Sequence, residues 1–321
     1  MIVVTGAAGF IGSCLVSRLL ELGRGPVVAV DNRFSPDKAR NLDGKAVAER
    51  IPRAELPAFL AARGDEVEVI FHLGARTDTL EKDPELLATL NQRCSQNLWR
   101  FCAERGLPFL YASSAATYGL GERGFVDSHA VVPELTPLNP YGDSKNEFDI
   151  WALAQDQAPP LWAGLKFFNV YGPNESHKGR MASVILHAWR QIRETGRVAL
   201  FRSHRDDIAD GHQSRDFIYV KDVLEMILHL ESARPASGLY NIGTGEARSF
   251  LDLATATFAA LELEPAIDYI DTPASIRAQY QYFTEADMTK FRATGYEGPV
   301  TALEDGVRDY VTGYLEPDRI Y

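Results

Sequence analysis

The sequence predicts an α/β protein, with a Rossmann-type, doubly wound parallel sheet and a smaller, interleaved α+β domain. Three observations predict it. Short apolar runs alternate with stretches of helical period through the first half of the chain. Gly6, Gly9 and Gly12 stand directly behind the first apolar run. After Asn169 the alternation breaks down into longer loops and irregular motifs.

The first run, "MIVVTG" (1–6), reads as a buried strand, and "IGSCLVSRLLELG" (11–23) as a helix ending at a glycine. "PVVAVDN" (26–32), "EVEVIFHLGA" (66–75) and "PFLYASS" (108–114) read as further strands, with a helix from about Pro84 to Arg105 between the last two. Another helix is expected near Tyr141, where Asn139-Pro140 makes a good entry. "LWAGLKFFNVYGP" (161–173) reads as a strand running into a loop, and "VKDVLEMILHLES" (220–232) as a helix. "YNIGTG" (240–245) and a helix from about Ser249 follow. These elements place a nucleotide-binding domain at 1–168 plus about 215–235. A substrate domain is expected at about 169–214 and 236–321.

The 321 residues are 45% apolar and 24% charged, as in an ordinary globular protein. No run of about 18 apolar residues predicts a membrane span. The opening "MIVVTGAAGF" has no basic segment or cleavage signature, so a cytoplasmic protein is expected. A net charge of −11 argues against a nucleic-acid coat and leaves an anionic small molecule open as partner. Cys14, Cys94 and Cys102 are odd in number and suit no zinc site, so they are expected as buried or semi-buried thiols, with no metal.

The glycine triplet sits between a strand and a helix, where it permits a tight turn and close backbone approach. The helix N-terminus then offers unpaired N–H groups to a pyrophosphate. Asp31 and Asn32 close the second strand, and an acid there suits the free ribose 2′-hydroxyl of NAD. Arg33, Lys38 and Arg53 suit the 2′-phosphate of NADP instead, so charge alone leaves the two cofactors even. Tyr141 and Lys145 lie one helical turn apart, and Ser114 ends a strand. The Lys145 ammonium and a nicotinamide ring would favour phenolate at Tyr141, which then acts as general base on a sugar hydroxyl that Ser114 holds.

In order along the chain, "TGAAGFIG", "SSAATYG", "YGDSK", "FFNVYGP", "RDFIYVKD" and "YNIGTG" resemble the markers of extended short-chain dehydrogenases/reductases of the nucleotide-sugar branch. Dehydratases of that branch carry an Asp-Glu pair where this chain has Ala115 and Ala116, which leaves elimination without a proton donor. "FFNVYGPNESHKGRMASVILH" (167–187), "FLYASSAATYG" and "YQYFTEADMTKFRATGY" are similar to ADP-L-glycero-D-manno-heptose 6-epimerases over nearly the whole length. The resemblance implies epimerisation at C6″ by transient oxidation, in the supply of heptose for lipopolysaccharide cores. It implies two bases, Tyr141 for one face and Lys178 for the other. It implies tightly bound NADP, one per subunit, and a homo-oligomer, possibly a pentamer.

For the cofactor it points to Gly6, Gly9, Phe10, Ile11, Gly12, Asp31, Asn32, Lys38 and Arg53. Leu73, Gly74, Ala75, Arg76, Thr77, Asn91, Lys145, Val170 and Lys178 complete that set. For the substrate it points to Asn169, Arg180, His187, Phe201, Arg202, Ser203, His204, Arg215 and Tyr280, with Arg215 as a clamp on the ADP diphosphate. His187 suits helix packing equally on spacing alone. Arg76 and Arg180 depart from the smaller residues of relatives, and the loop 204–214 is longer than usual. It reads as a lid, a subunit contact or a disordered segment. The rival readings are a UDP-sugar 4-epimerase and a non-catalytic NADP-binding sensor.

Overall fold

Ile2, Val3, Val4 and Thr5 are all buried, which a strand achieves only when both faces of its sheet are covered. The computed structural model describes residues 1–32, 36–79, 81–277 and 280–321. In chain order its strands are β1 (Ile2–Thr5), β2 (Val27–Asp31), β3 (Glu49–Pro52), β4 (Val69–His72), β5 (Phe109–Ser114) and β6 (Trp162–Phe167). They continue as β7 (Asn169–Tyr171), β8 (Val198–Phe201), β9 (Ser214–Tyr219), β10 (Gly238–Ile242), β11 (Ala247–Ser249) and β12 (Ile267–Ile270).

Seven of these form one parallel sheet in the order β10-β6-β5-β4-β1-β2-β3. The chain leaves β1 in one direction through β2 and β3, then returns to build outward from β4. The strand order therefore reverses beside β1, and in open α/β sheets that switch point is where ligands bind. A three-stranded sheet, β11-β9-β7, and a two-stranded sheet, β12-β8, complete the strand pairing among the described residues.

The domain boundaries expected from sequence need two corrections. Gly238–Ile242 was assigned to the second domain, yet β10 is the edge strand of the main sheet, in register with β6 from Gly238↔Ala163 to Ile242↔Phe167. All five of its residues are buried, a pattern that only a covered parallel strand satisfies. Conversely, β9 was assigned to the nucleotide-binding domain and instead joins the three-stranded sheet. The helix that follows it, Val220–Ala233, does return to the main sheet. It packs against the helix Phe10–Glu21, with ion pairs Arg18–Glu225 at 2.7 Å and Arg24–Glu231 at 2.8 Å on the rim.

The helix expected from Pro84 to Arg105 forms, with a wider π-type turn over Ala88–Arg93 in its middle. The helix expected near Tyr141 runs Pro140–Leu153, started by Asn139, whose side chain accepts from Gly142 N–H at 2.9 Å. Phe148 on its buried face meets Trp99 and Tyr111, and Trp99 in turn meets Phe109. Each fully buried ring of this size contributes on the order of 1.5–3 kcal/mol, so the helix is fixed against β5.

Candidate active site

The residues just beyond β1 are shaped by close contact. Gly6 has φ +67°, and a Cβ there would stand 2.7 Å from the Gly74 nitrogen. A Cβ on Gly12 would lie 2.1 Å from the Gly6 carbonyl oxygen, so the first helical turn touches the loop directly. Gly9 precedes the helix Phe10–Glu21 and gives it no side-chain cap. The first turn thus presents its N–H groups and the positive end of its dipole to a ligand. A pyrophosphate fits this cradle, and larger side chains at Gly6 and Gly12 do not.

A chain of hydrogen bonds fixes the facing loop, 73–77. Ser95 Oγ donates to the Asn91 carbonyl at 2.6 Å, so it must accept from His72 Nε2 at 2.9 Å. His72 Nδ1 then accepts from Thr5 Oγ at 2.7 Å, and Thr5 Oγ accepts from Gly74 N–H at 3.1 Å. Burial pushes the imidazole down to about 3, so it stays neutral and holds this tautomer. Sequence reasoning missed Thr5 and His72, which look like ordinary strand residues.

At the ribose end, Asp31 accepts from Ala8 N–H at 3.1 Å, Asn32 N–H at 2.8 Å and the Lys38 ammonium at 2.8 Å. Its charge is largely met by the chain itself. Arg33 lies outside the described residues.

A cleft of about 860 Å³ gathers most of the anticipated cofactor set: Gly6, Gly9, Phe10, Ile11, Gly12, Asp31, Asn32, Lys38, Arg53, the 73–77 loop, Lys145, Val170 and Lys178. Asn91 does not line it. Its amide instead braces the loop, accepting from Arg76 N–H at 2.7 Å and donating to the Arg76 carbonyl at 3.1 Å and Ser144 Oγ at 3.0 Å. The π-type turn carries Asn91 inward to reach both.

Ser114, Tyr141 and Lys145 line the same cleft. Ser114 Oγ accepts from Ala116 N–H at 3.1 Å, and its hydroxyl acts on the Tyr141 phenol by pulling its titration down. Lys145 is 5% exposed and donates to the Ala112 carbonyl at 2.8 Å. Burial lowers its ammonium to about 8. The expectation that Lys145 draws the phenol down needs correction. Burial raises Tyr141 above its ordinary value, the Ser114 hydrogen bond pulls back, and Asp149 adds to the rise.

Lys178 lines the same cleft from a separate segment, its ammonium 5.1 Å from the centre of the Phe10 ring. Burial lowers its ammonium below the usual lysine value. Its loop, Ser176–Met181, is held by buried Glu175, whose carboxylate accepts from Ser183 N–H at 2.7 Å and Ser183 Oγ at 2.5 Å. Ser183 also caps the helix Val184–Thr195. Asn169 also lines the cleft. Arg180 does not line it, and its exposed guanidinium pairs with Asp78 at 3.3 Å on the rim.

The comparisons agree with this geometry. Residues 2–243 match the model of the NAD dependent epimerase/dehydratase family. The chain belongs to that family. A protein of Fusobacterium nucleatum subsp. nucleatum named ADP-L-glycero-D-manno-heptose-6-epimerase is 44% identical, covering 100% of both chains. One of the same name from Nitratidesulfovibrio vulgaris (strain DP4) is 46% identical over 98% of both chains. The crystal structure of the Helicobacter pylori ADP-L-glycero-D-manno-heptose-6-epimerase superposes with TM-score 0.79 at 29% identity, covering 97% of this chain and 95% of the other.

The remaining anticipated residues of this family member form a second cluster that does not line the cleft. Arg215 is 7% exposed, and its guanidinium lies between the rings of Phe250 (5.4 Å) and Tyr280 (5.6 Å). It donates to the Ser214 carbonyl at 2.8 Å and to the Gln281 carbonyl. Burial lowers it to about 10. Phe201 meets Tyr280 edge to face at 6.1 Å. Arg202 reaches Asp271 at 3.8 Å and Asp210 at 4.0 Å. Ser203 N–H donates to Asp210 at 2.8 Å, and His204 N–H to the Tyr282 hydroxyl at 2.9 Å. His187 is half-buried on the helix Val184–Thr195.

The end of the 204–214 loop is bonded to its neighbours. Gly211 N–H donates to the Phe201 carbonyl at 3.3 Å, Leu251 N–H to Gly211 at 3.0 Å and Phe250 N–H to Gln213 at 3.1 Å, so both neighbours hold it.

Proposed function

We propose that this chain is an isomerase that interconverts ADP-D-glycero-β-D-manno-heptose and ADP-L-glycero-β-D-manno-heptose at C6″. One observation carries the reading: two groups able to move a proton, Tyr141 and Lys178, line one cleft with the glycine cradle but stand on separate elements, the helix Pro140–Leu153 and the segment Ser176–Met181. Inverting a carbinol needs a proton removed in one orientation of the sugar and returned in the other. A single rigid phenol serves one orientation, and a partly desolvated lysine serves the second.

The cradle fits a nicotinamide dinucleotide, which when bound accepts a hydride and gives it back. Ser114 positions the hydroxyl beside Tyr141, and Lys145 supplies a nearby positive charge. Because Asp31 is already engaged by Lys38 and two N–H groups, the ribose end repels a 2′-phosphate less than a free carboxylate would. Lys38 and Arg53 then favour NADP. Arg215 holds the diphosphate of the substrate, with Phe201 and Tyr280 beside it. Arg215 is a buried cation whose partners are carbonyl oxygens and rings, a setting that an anion completes.

The test is to incubate purified protein with ADP-D-glycero-β-D-manno-heptose, without added cofactor, and separately with UDP-glucose. Epimerised ADP-heptose, with nucleotide released on denaturation, is expected. Conversion of UDP-glucose alone, or accumulation of only oxidised product, contradicts the reading.

A further inference from the structure

Behind the reacting wall lies a charge pair that does not itself line the cleft. Lys166 on β6 and Asp149 on the helix Pro140–Leu153 meet at 2.9 Å, and both side chains are 0% exposed. Burying two opposite charges together costs several kcal/mol per ion before their attraction returns it, and apolar residues of similar volume often serve stability as well. A fully buried pair is therefore weak as a device for stability alone, and its connections show what it is joined to.

Asp149 accepts from Tyr111 Oη at 2.9 Å and from Ser113 Oγ at 2.7 Å, both on β5. The Lys166 ammonium donates to Thr117 Oγ at 2.8 Å and lies 4.9 Å from the centre of the Tyr118 ring. Thr117 Oγ in turn donates to the Ser114 carbonyl at 2.8 Å. The backbone of Ser114 is thus tied on both sides, through Ser113 to Asp149 and through Thr117 to Lys166. Asp149 lies one helical turn beyond Lys145 and two beyond Tyr141, on the same face.

We propose that Asp149 and Lys166 are positioning residues for the reaction: they fasten the end of β5 to the helix that carries Tyr141 and Lys145, and set a fixed, matched pair of charges behind those two groups. This rests on the reading of Ser114, Tyr141 and Lys145 as reacting groups. Without Lys166 the Asp149 carboxylate would act unopposed on both. The carboxylate already raises the Tyr141 phenol and the Lys145 ammonium. The other groups that face these side chains are Ser114 from β5, Cys94 and His72 from the neighbouring helix and β4, and Tyr111, Tyr118 and His129 around the pair.

The two charges must act with opposite sign, which a packing role would not do. The probe is the full-length protein with ¹³Cε-labelled lysine, the Lys145 signal identified by its loss in Lys145→Met. In the wild type it should titrate near its lowered value of about 8. Asp149→Asn should move that midpoint down and Lys166→Met move it up, each by about 0.5 pH or more. Lys166→Arg, which keeps the charge, should leave it in place. Lys166→Gln is the second neutral variant should the methionine fail to fold.

Midpoints that stay put in folded Asp149→Asn and in a folded neutral Lys166 variant, or that move the same way in both, overturn the proposal. Epimerase turnover measured against pH on the same proteins separates the two readings. Opposite NMR shifts without turnover of ADP-heptose by the wild type keep the charge-setting pair and reject the substrate. Turnover with unmoved midpoints keeps the enzyme and rejects the pair.

Discussion

The two walls of the cleft are built in different ways. The wall with Tyr141 is regular structure: a strand end, a capped helix and a buried aromatic layer, with Ser114 and Lys145 each tied to backbone. The wall with Lys178 is a loop, Ser176–Met181, whose shape depends on buried Glu175 and the cap at Ser183. The first wall holds its proton acceptor on a strand end and a capped helix. The second brings a flexible lysine stem over Phe10, which suits a group that must meet a differently oriented sugar.

Variants sharpen the contrast. The largest effect is expected at the rigid wall. Tyr141→Phe should lower kcat for epimerisation by roughly 10²–10⁴-fold, read from steady-state turnover, with cofactor still bound. Near-normal turnover would remove Tyr141 from proton transfer. Next comes the second cluster: Arg215→Met should raise KM for the nucleotide sugar by about 10–100-fold, the scale of losing charge-assisted hydrogen bonds, while kcat changes less. A fall in kcat alone would place Arg215 elsewhere in the reaction. At the ribose end, Arg53→Met should weaken NADP by about tenfold and leave NAD nearly unchanged, as titration calorimetry would read. Equal weakening of both would separate Arg53 from the 2′-phosphate. The smallest effect is expected at the rim, where Arg180→Ser removes one exposed ion pair. It should change kcat/KM by less than about fivefold, and a larger loss would show that Arg180 meets the substrate.

The same contrast explains what could be read in advance. Gly6, Gly9 and Gly12, and the Tyr141–Lys145 spacing, act through regular geometry, a strand-turn-helix and one helical turn. A one-dimensional pattern carries both faithfully. The parallel core followed likewise from its apolar runs. What stayed hidden depends on contacts between distant segments. Asn91 braces Arg76 only because a π-type turn carries it inward. His72 matters through Thr5 and Ser95. β10 joins β6 across 75 positions of chain, since Gly238 meets Ala163 and Ile242 meets Phe167. At Tyr141 the nearby cations can be read from spacing, but the depth of burial that raises the phenol in the chain alone cannot.

The central claim is that each wall serves one epimer. Its most direct test is a single turnover with each purified epimer on wild type, Tyr141→Phe and Lys178→Met, loaded with oxidised cofactor and followed by nicotinamide absorbance. The account predicts that each variant loses transient reduction with one epimer and keeps it with the other, in opposite sense. Loss of both epimers in Tyr141→Phe, with both retained in Lys178→Met, would contradict it and leave a single base.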